Sequence, residues 1–128
     1  DYFQVVFGTD VYDAAVAYQT LHHFTPAQKL SLYRRLYGAL KPGGVYLECD
    51  YMADTTRQEQ YFFNESARLR ERYGLTSGQM FHYDTPCTPA HQIRLLRQAG
   101  FVRVAPLWRA GSTVLLRAVR PGKSVDSD

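Results

Sequence analysis

Between residues 12 and 51 the chain reads as strand, helix, strand. Tyr12-Asp13-Ala14-Ala15-Val16-Ala17-Tyr18 is a short, nearly continuous apolar run led by an acid. Such a run suits a strand buried on both faces. A polar and aromatic loop, Gln19-Thr20-Leu21-His22-His23-Phe24, leaves it. Thr25-Pro26-Ala27-Gln28 then opens a helix. Thr25 caps the free amides, Pro26 suits the first helical position and Gln28 closes a capping box. Leu30, Tyr33, Leu36, Tyr37 and Leu40 recur at helical spacing, with Lys29, Arg34 and Arg35 off that face. Lys41-Pro42-Gly43-Gly44 stops the helix, because proline cannot continue it and glycine permits positive φ. Val45–Tyr51 follows as a second strand.

The rest of the chain repeats the alternation. A helix is expected from Arg57 to Tyr73, with Phe62, Ser66, Leu69 and Tyr73 on one face and Glu59, Glu65, Arg68, Arg70 and Glu71 on the others. Residues 75–87 read as loop. Thr88-Pro89-Ala90-His91 opens a further helix by the same cap-then-proline logic, with Ile93, Leu96 and Ala99 buried and Gly100 as its stop. A third strand runs from Phe101 to about Trp108. After the turn Arg109-Ala110-Gly111, a fourth covers Ser112–Val119. A three-residue connection makes those two an antiparallel hairpin. Residues 1–9 suit a short strand or a packed loop. Alternating strands and helices predict an α/β sheet, parallel at its start, with helices on its faces.

Composition narrows the function classes. At 128 residues one domain is expected, and about two-thirds of the unfolded surface can be buried. Aromatic residues at 14% argue against disorder over most of the length. No apolar run approaches the roughly 18 residues of a membrane span, and no basic-then-apolar leader is visible. Cys49 and Cys87 are too few for a disulfide framework, so a reducing, cytoplasmic setting is expected. Fifteen Lys and Arg against 12 Asp and Glu give a net charge of +3, with no basic block, which disfavours nucleic acid as partner. The chain begins with Asp1 and not Met, and the expectation is a piece cut from something longer.

The run from Tyr12-Asp13 through Leu21-His22-His23-Phe24, a helix, Leu40-Lys41-Pro42-Gly43-Gly44 and a strand resembles the second half of a class I S-adenosylmethionine-dependent methyltransferase. Arg94-Leu95-Leu96-Arg97-Gln98-Ala99-Gly100-Phe101 and the closing hairpin are similar to the end of that family's sheet. The resemblance covers about residues 1–120 and implies the C-terminal part, strands four to seven, of a Rossmann-like methyltransferase sheet. Residues 121–128 are a polar tail. It implies S-adenosylmethionine as cofactor and a small-molecule methyl acceptor. One family feature is missing: no glycine-rich turn joins a strand to a helix near the start, and Gly43-Gly44 precedes a strand. The first three strands and most of the cofactor pocket are therefore expected to be absent, and the piece to be inactive alone.

Site residues follow from the resemblance and from one rule of open α/β sheets, that ligands bind beyond the carboxyl ends of the strands. Asp1 and Tyr2 are similar to the family's pair that faces the adenine. Tyr18, Gln19, Thr20 and Leu21 would meet the methionine end. Either His22 or His23 suits a general base, since imidazole titrates near neutrality; alternatively one packs or caps the helix and the other is solvated. His82 and Tyr83, with Asp84 and Cys87, sit on a loop suited to the acceptor pocket or simply to the surface. Glu48 and Asp50 share one side of their strand, either bordering the acceptor or facing solvent. Zinc on His22, His23, His82, Cys49 and Cys87 lacks Cys-x-x-Cys or His-x-x-x-His spacing, so no metal is expected.

Two other classes compete, a non-catalytic scaffold on the same half-fold and a metal-dependent hydrolase. With the neighbouring strand missing, the 12–18 edge is expected to pair two copies of the chain or to make it poorly soluble.

Overall fold

The computed structural model describes residues 8–73 and 85–122. The elements are β1 (Tyr12–Tyr18), one turn of 3₁₀ helix (Leu21–His23), α1 (Pro26–Ala39), β2 (Leu40–Tyr51), α2 (Thr56–Tyr73), α3 (Pro89–Gln98), β3 (Val102–Ala110) and β4 (Thr113–Val119). The strands form one sheet in the order β1-β2-β4-β3. β1 and β2 are parallel, with Val16 opposite Leu47 and Tyr18 opposite Cys49. β4 runs antiparallel to both β2 and β3. No described helix is long and apolar enough to cross a membrane.

The punctuation works as written in the sequence. The Thr25 hydroxyl accepts from the Gln28 amide at 3.2 Å, and the Gln28 side chain accepts from the Thr25 amide at 2.9 Å. Thr88 caps α3 through the His91 amide at 3.2 Å. Lys41-Pro42-Gly43-Gly44 ends α1 but does not leave the sheet. It bulges within β2, so that Tyr12 pairs with Leu40 while Ala14 pairs with Val45. Gly43 takes φ 85° there and Gly44 lies so close that a Cβ would come within 2.8 Å of the Lys41 carbonyl. The Gly43 amide and Gly44 carbonyl are both bonded to Arg120 backbone, which ties the bulge to the end of β4.

Alternation along the strands builds the core. Tyr46, Glu48 and Asp50 of β2 and Val114, Leu116 and Ala118 of β4 lie on the face covered by α1 and α3. Leu32 and Tyr33 of α1, with Leu95 and Leu96 of α3, complete that cluster with Phe101. On the opposite face Val45, Leu47, Cys49 and Leu115 are only half-buried.

Three expectations are corrected. β1 is not buried on both faces: Val16 is 71% and Tyr18 67% exposed, and only Ala17 is buried. β1 is the sheet's edge among the described residues, so its apolar side chains have no neighbouring strand to cover them. Lys29, placed off the buried face of α1 by its charge, is 1% exposed. Its ammonium satisfies itself by donating to the Thr85 carbonyl and the Cys87 sulfur. Glu59, expected on a solvated face of α2, is turned inward to the start of α3.

Candidate active site

The carboxyl ends of β1 and β2 lie side by side, and the chain leaving β1 folds back over them. Gln19 takes φ 53°, a left-handed conformation that costs a non-glycine residue about 1–2 kcal/mol. Its amide donates to the Cys49 carbonyl at 2.8 Å, so the turn is pinned to β2. The 3₁₀ turn that follows buries Leu21 completely in the core. Tyr18, Gln19 and Thr20 stay at the strand end, with Tyr18 exposed and the other two half-buried.

His22 comes off the same turn and reaches β2. Its Nδ1 lies 2.6 Å from Oδ1 of Asp50, with side-chain exposures of 12% and 2%. A carboxylate can only accept, so the proton of this contact is assigned to Nδ1. Asp50 is held in turn by the Tyr51 amide at 2.8 Å. The pair has the geometry of an imidazole held by an orienting carboxylate, at the strand ends where open α/β sheets bind ligands. Aromatic rings extend from it. His23 stands 4.1 Å from His22, Tyr51 6.0 Å from His22, and Phe62 of α2 meets Tyr51 edge-on at 6.1 Å. The backbone of the turn is also braced from behind, since the Thr85 amide donates to the His22 carbonyl and the Thr85 hydroxyl to the Phe24 carbonyl.

Beneath the pair sits a second buried carboxyl. Glu48 is fully buried and accepts from Tyr33 at 2.6 Å, from Tyr46 at 2.9 Å and from Gln92 at 2.6 Å. Burial raises its pKa against the three hydrogen bonds, which lower it. Burial likewise pushes the Tyr33 hydroxyl well above its ordinary range, helped by Glu48.

Of the residues expected at the site, Tyr18, Gln19, Thr20, His22 and His23 gather at one strand end. Asp1, Tyr2, His82, Tyr83 and Asp84 lie outside the described residues. Neither Glu48 nor Asp50 faces solvent: Asp50 partners His22, and Glu48 belongs to the core. The partnership of His22 with Asp50 was not read from the sequence. Its signal was an acid at the end of β2 beside a loop histidine after a parallel β1.

No family model matches the chain, and no curated protein matches it in sequence. Solved structures do. The chain is similar to the S-adenosylmethionine-dependent methyltransferase SibL in its apo form, at 27% identity and TM-score 0.68, over 94% of this chain and 34% of that one. It is similar to human N-acetylserotonin methyltransferase in complex with SAM, at 21% identity and TM-score 0.66, over 94% and 32%. It also matches PigF with SAH, at 18% identity and TM-score 0.64, over 94% and 33%. The chain therefore spans about a third of the length of these structures. S-adenosylmethionine is the cofactor of the methyltransferases it resembles. The exposed Tyr18 and the Gln19 turn stand at the carboxyl end of β1, where open α/β sheets bind ligands. Among the described residues no glycine-rich strand-to-helix turn faces them. Residues 8–73 and 85–122 carry the fold of the carboxy-terminal portion of a class I S-adenosylmethionine-dependent methyltransferase.

Proposed function

We propose that this chain is the carboxy-terminal part of a methyltransferase that acts on a small-molecule acceptor, with His22 as general base and Asp50 as its orienting partner. The observation that carries the reading is the 2.6 Å His22–Asp50 contact at the carboxyl ends of two parallel strands. When bound, the cofactor supplies an electrophilic methyl group on a sulfonium. With cofactor bound, His22 Nε2 would take the acceptor's proton as the methyl group is transferred. Asp50 fixes the ring and offsets the imidazolium charge that develops. Tyr18, Gln19 and Thr20 line the methionine end of the cofactor. His23, Tyr51 and Phe62 wall the acceptor side and exclude water.

The exposed edge supports the reading that the active protein is longer. Val16, Tyr12 and Tyr18 project from β1, and Ala15, Leu36 and Ala39 line an apolar groove along it. In the longer protein a preceding strand covers this edge; in the isolated chain a second copy does. The reading places the protein in the cytoplasm, in keeping with its two free cysteines.

The test is turnover in the longer polypeptide. His22→Gln is expected to lower kcat about 10²–10⁴-fold with cofactor affinity unchanged. Unchanged kcat would remove His22 from the chemistry. In parallel, calorimetry of the isolated 128-residue chain with S-adenosylhomocysteine is expected to show no saturable binding. Micromolar binding would show that this part contains a complete pocket.

A further inference from the structure

Away from the His22–Asp50 pair, three potential metal ligands of different chemistry converge, one from α2 and two from the start of α3. Glu59 projects from α2, Cys87 precedes α3, and His91 lies in its first turn. Their donor atoms all lie within 4.8 Å of one another. Cys87 is 1% and Glu59 9% exposed, and the His91 side chain is 20% exposed. Zinc holds sulfur at about 2.3 Å and nitrogen or oxygen at about 2.0–2.2 Å, so two donors on a tetrahedral ion stand about 3.3–3.7 Å apart. The widest donor pair therefore closes by roughly 1 Å, a movement within reach of side-chain rotation, to hold the ion. We propose that Glu59, Cys87 and His91 form a zinc site that clasps α2 to the start of α3, with water as the fourth ligand on the half-open His91 side.

Several features prepare the ligands. Glu59 Oε1 accepts from the Thr88 amide at 2.8 Å, which fixes the carboxylate on the helix start. The same oxygen lies 2.8 Å from His91 Nδ1, so a proton now occupies the direction an ion would take. The spacing Cys87-x-x-x-His91 spans the helix cap, where the sequence reading sought only paired cysteines and paired histidines. Lys29 faces the sulfur from α1, its Nζ 3.3 Å from Sγ. Its charge opposes the cation but favours the thiolate, and its N–H bond to sulfur survives metal binding. Burial meanwhile holds the unliganded thiol neutral, raised to about 11.

Binding is balanced in protons. The imidazole proton moves from Nδ1 to Nε2, the Cys87 thiol proton leaves to solvent, and the ion takes both lone pairs and one from Glu59. One proton is thus released per ion. The soft sulfur with imidazole and carboxylate favours zinc over magnesium or calcium.

The experiment is a cobalt(II) titration of the chelator-treated chain, followed by displacement with zinc. One equivalent is expected to bind with a thiolate-to-cobalt absorption band and release of about one proton. Cys87→Ser is expected to abolish the band, and His91→Gln and Glu59→Gln to weaken binding at least about tenfold. Absence of the band in the parent chain, or its persistence in Cys87→Ser, would overturn the site. Should Cys87→Ser lose its circular dichroism spectrum, the partly exposed His91→Gln decides: undiminished cobalt affinity there refutes the proposal. None of these readouts depends on methyl transfer.

Discussion

Replacing Glu48 probes the buried frame on which the site stands. The carboxyl is fully buried and receives three donors, Tyr33, Tyr46 and Gln92. Glu48→Ala removes all three acceptor contacts at once and leaves a cavity. A buried donor without its partner costs about 1–3 kcal/mol. Gln92 retains its contact with the Tyr33 oxygen at 2.8 Å, which spares part of the loss. The expected total is about 3–5 kcal/mol, a large share of the stability of a domain this size. Glu48→Gln behaves differently. Its oxygen still accepts from the tyrosines, and its new N–H can donate to Gln92 Oε1, which has no hydrogen-bond partner among the described residues, once the Gln92 amide turns over. That variant is expected within about 1 kcal/mol of the parent at neutral pH.

The pH dependence has a definite sign. Burial raises the Glu48 pKa in the fold, so the fold favours the protonated acid. Its contribution is full below the unfolded value and declines as pH rises through the folded one. The stability of the parent relative to Glu48→Gln should therefore fall from acid towards neutral pH. Urea unfolding followed by far-ultraviolet circular dichroism at several pH values measures both effects. A Glu48→Ala variant as stable as the parent, or a parent that gains on Glu48→Gln as pH rises, would refute the reasoning.

Other outcomes follow from single contacts. Val16→Lys places a charge on the bare β1 edge and is expected to shift the isolated chain towards monomer in size-exclusion chromatography; an unchanged elution volume would clear that edge of self-association. Gly100→Ala forces a Cβ to within 2.9 Å of the Tyr37 ring at φ 114° and is expected to cost about 1–3 kcal/mol in urea unfolding, whereas a neutral result would contradict the packing there. The raised Cys87 thiol stabilises the fold fully below about pH 9, and its advantage over Cys87→Ser should shrink by about 2 kcal/mol between the ordinary value and about 11 in metal-free protein. A gap that stays constant on alkaline unfolding would rule out a buried neutral thiol.

The order of elements was legible because the punctuation is local. Thr25-Pro26 and Thr88-Pro89 cap helices whatever surrounds them, and a short connection dictates a hairpin, though the strands reach Ala110 and Thr113 and leave a two-residue turn, Gly111-Ser112, where three residues, 109–111, were expected. Burial was legible only where a residue's own chemistry decides it. β1 looks like an interior strand because its sequence is apolar, yet its exposure depends on what pairs beside it. Lys29 and Glu59 read as residues off the buried helix faces, and Glu48 as bordering the acceptor or facing solvent, because charge normally stays in water. Each is buried because partners from other segments meet it: Thr85 and Cys87 for Lys29, Tyr33 and Gln92 for Glu48, Thr88 and His91 for Glu59. The candidate base was visible as one of two adjacent histidines, but the choice between them was not. It required the register that sets Tyr18 beside Cys49 and so brings the turn after β1 within reach of Asp50.

The most direct test of the assignment is ultraviolet cross-linking of methyl-labelled S-adenosylmethionine to the longer polypeptide, with the labelled peptides mapped by mass spectrometry. If the end of β1 is one wall of the cofactor pocket, label appears on the peptide spanning Tyr18–Thr20 and is competed away by S-adenosylhomocysteine. Competable label confined to other peptides, with Tyr18–Thr20 unmodified, would contradict the assignment.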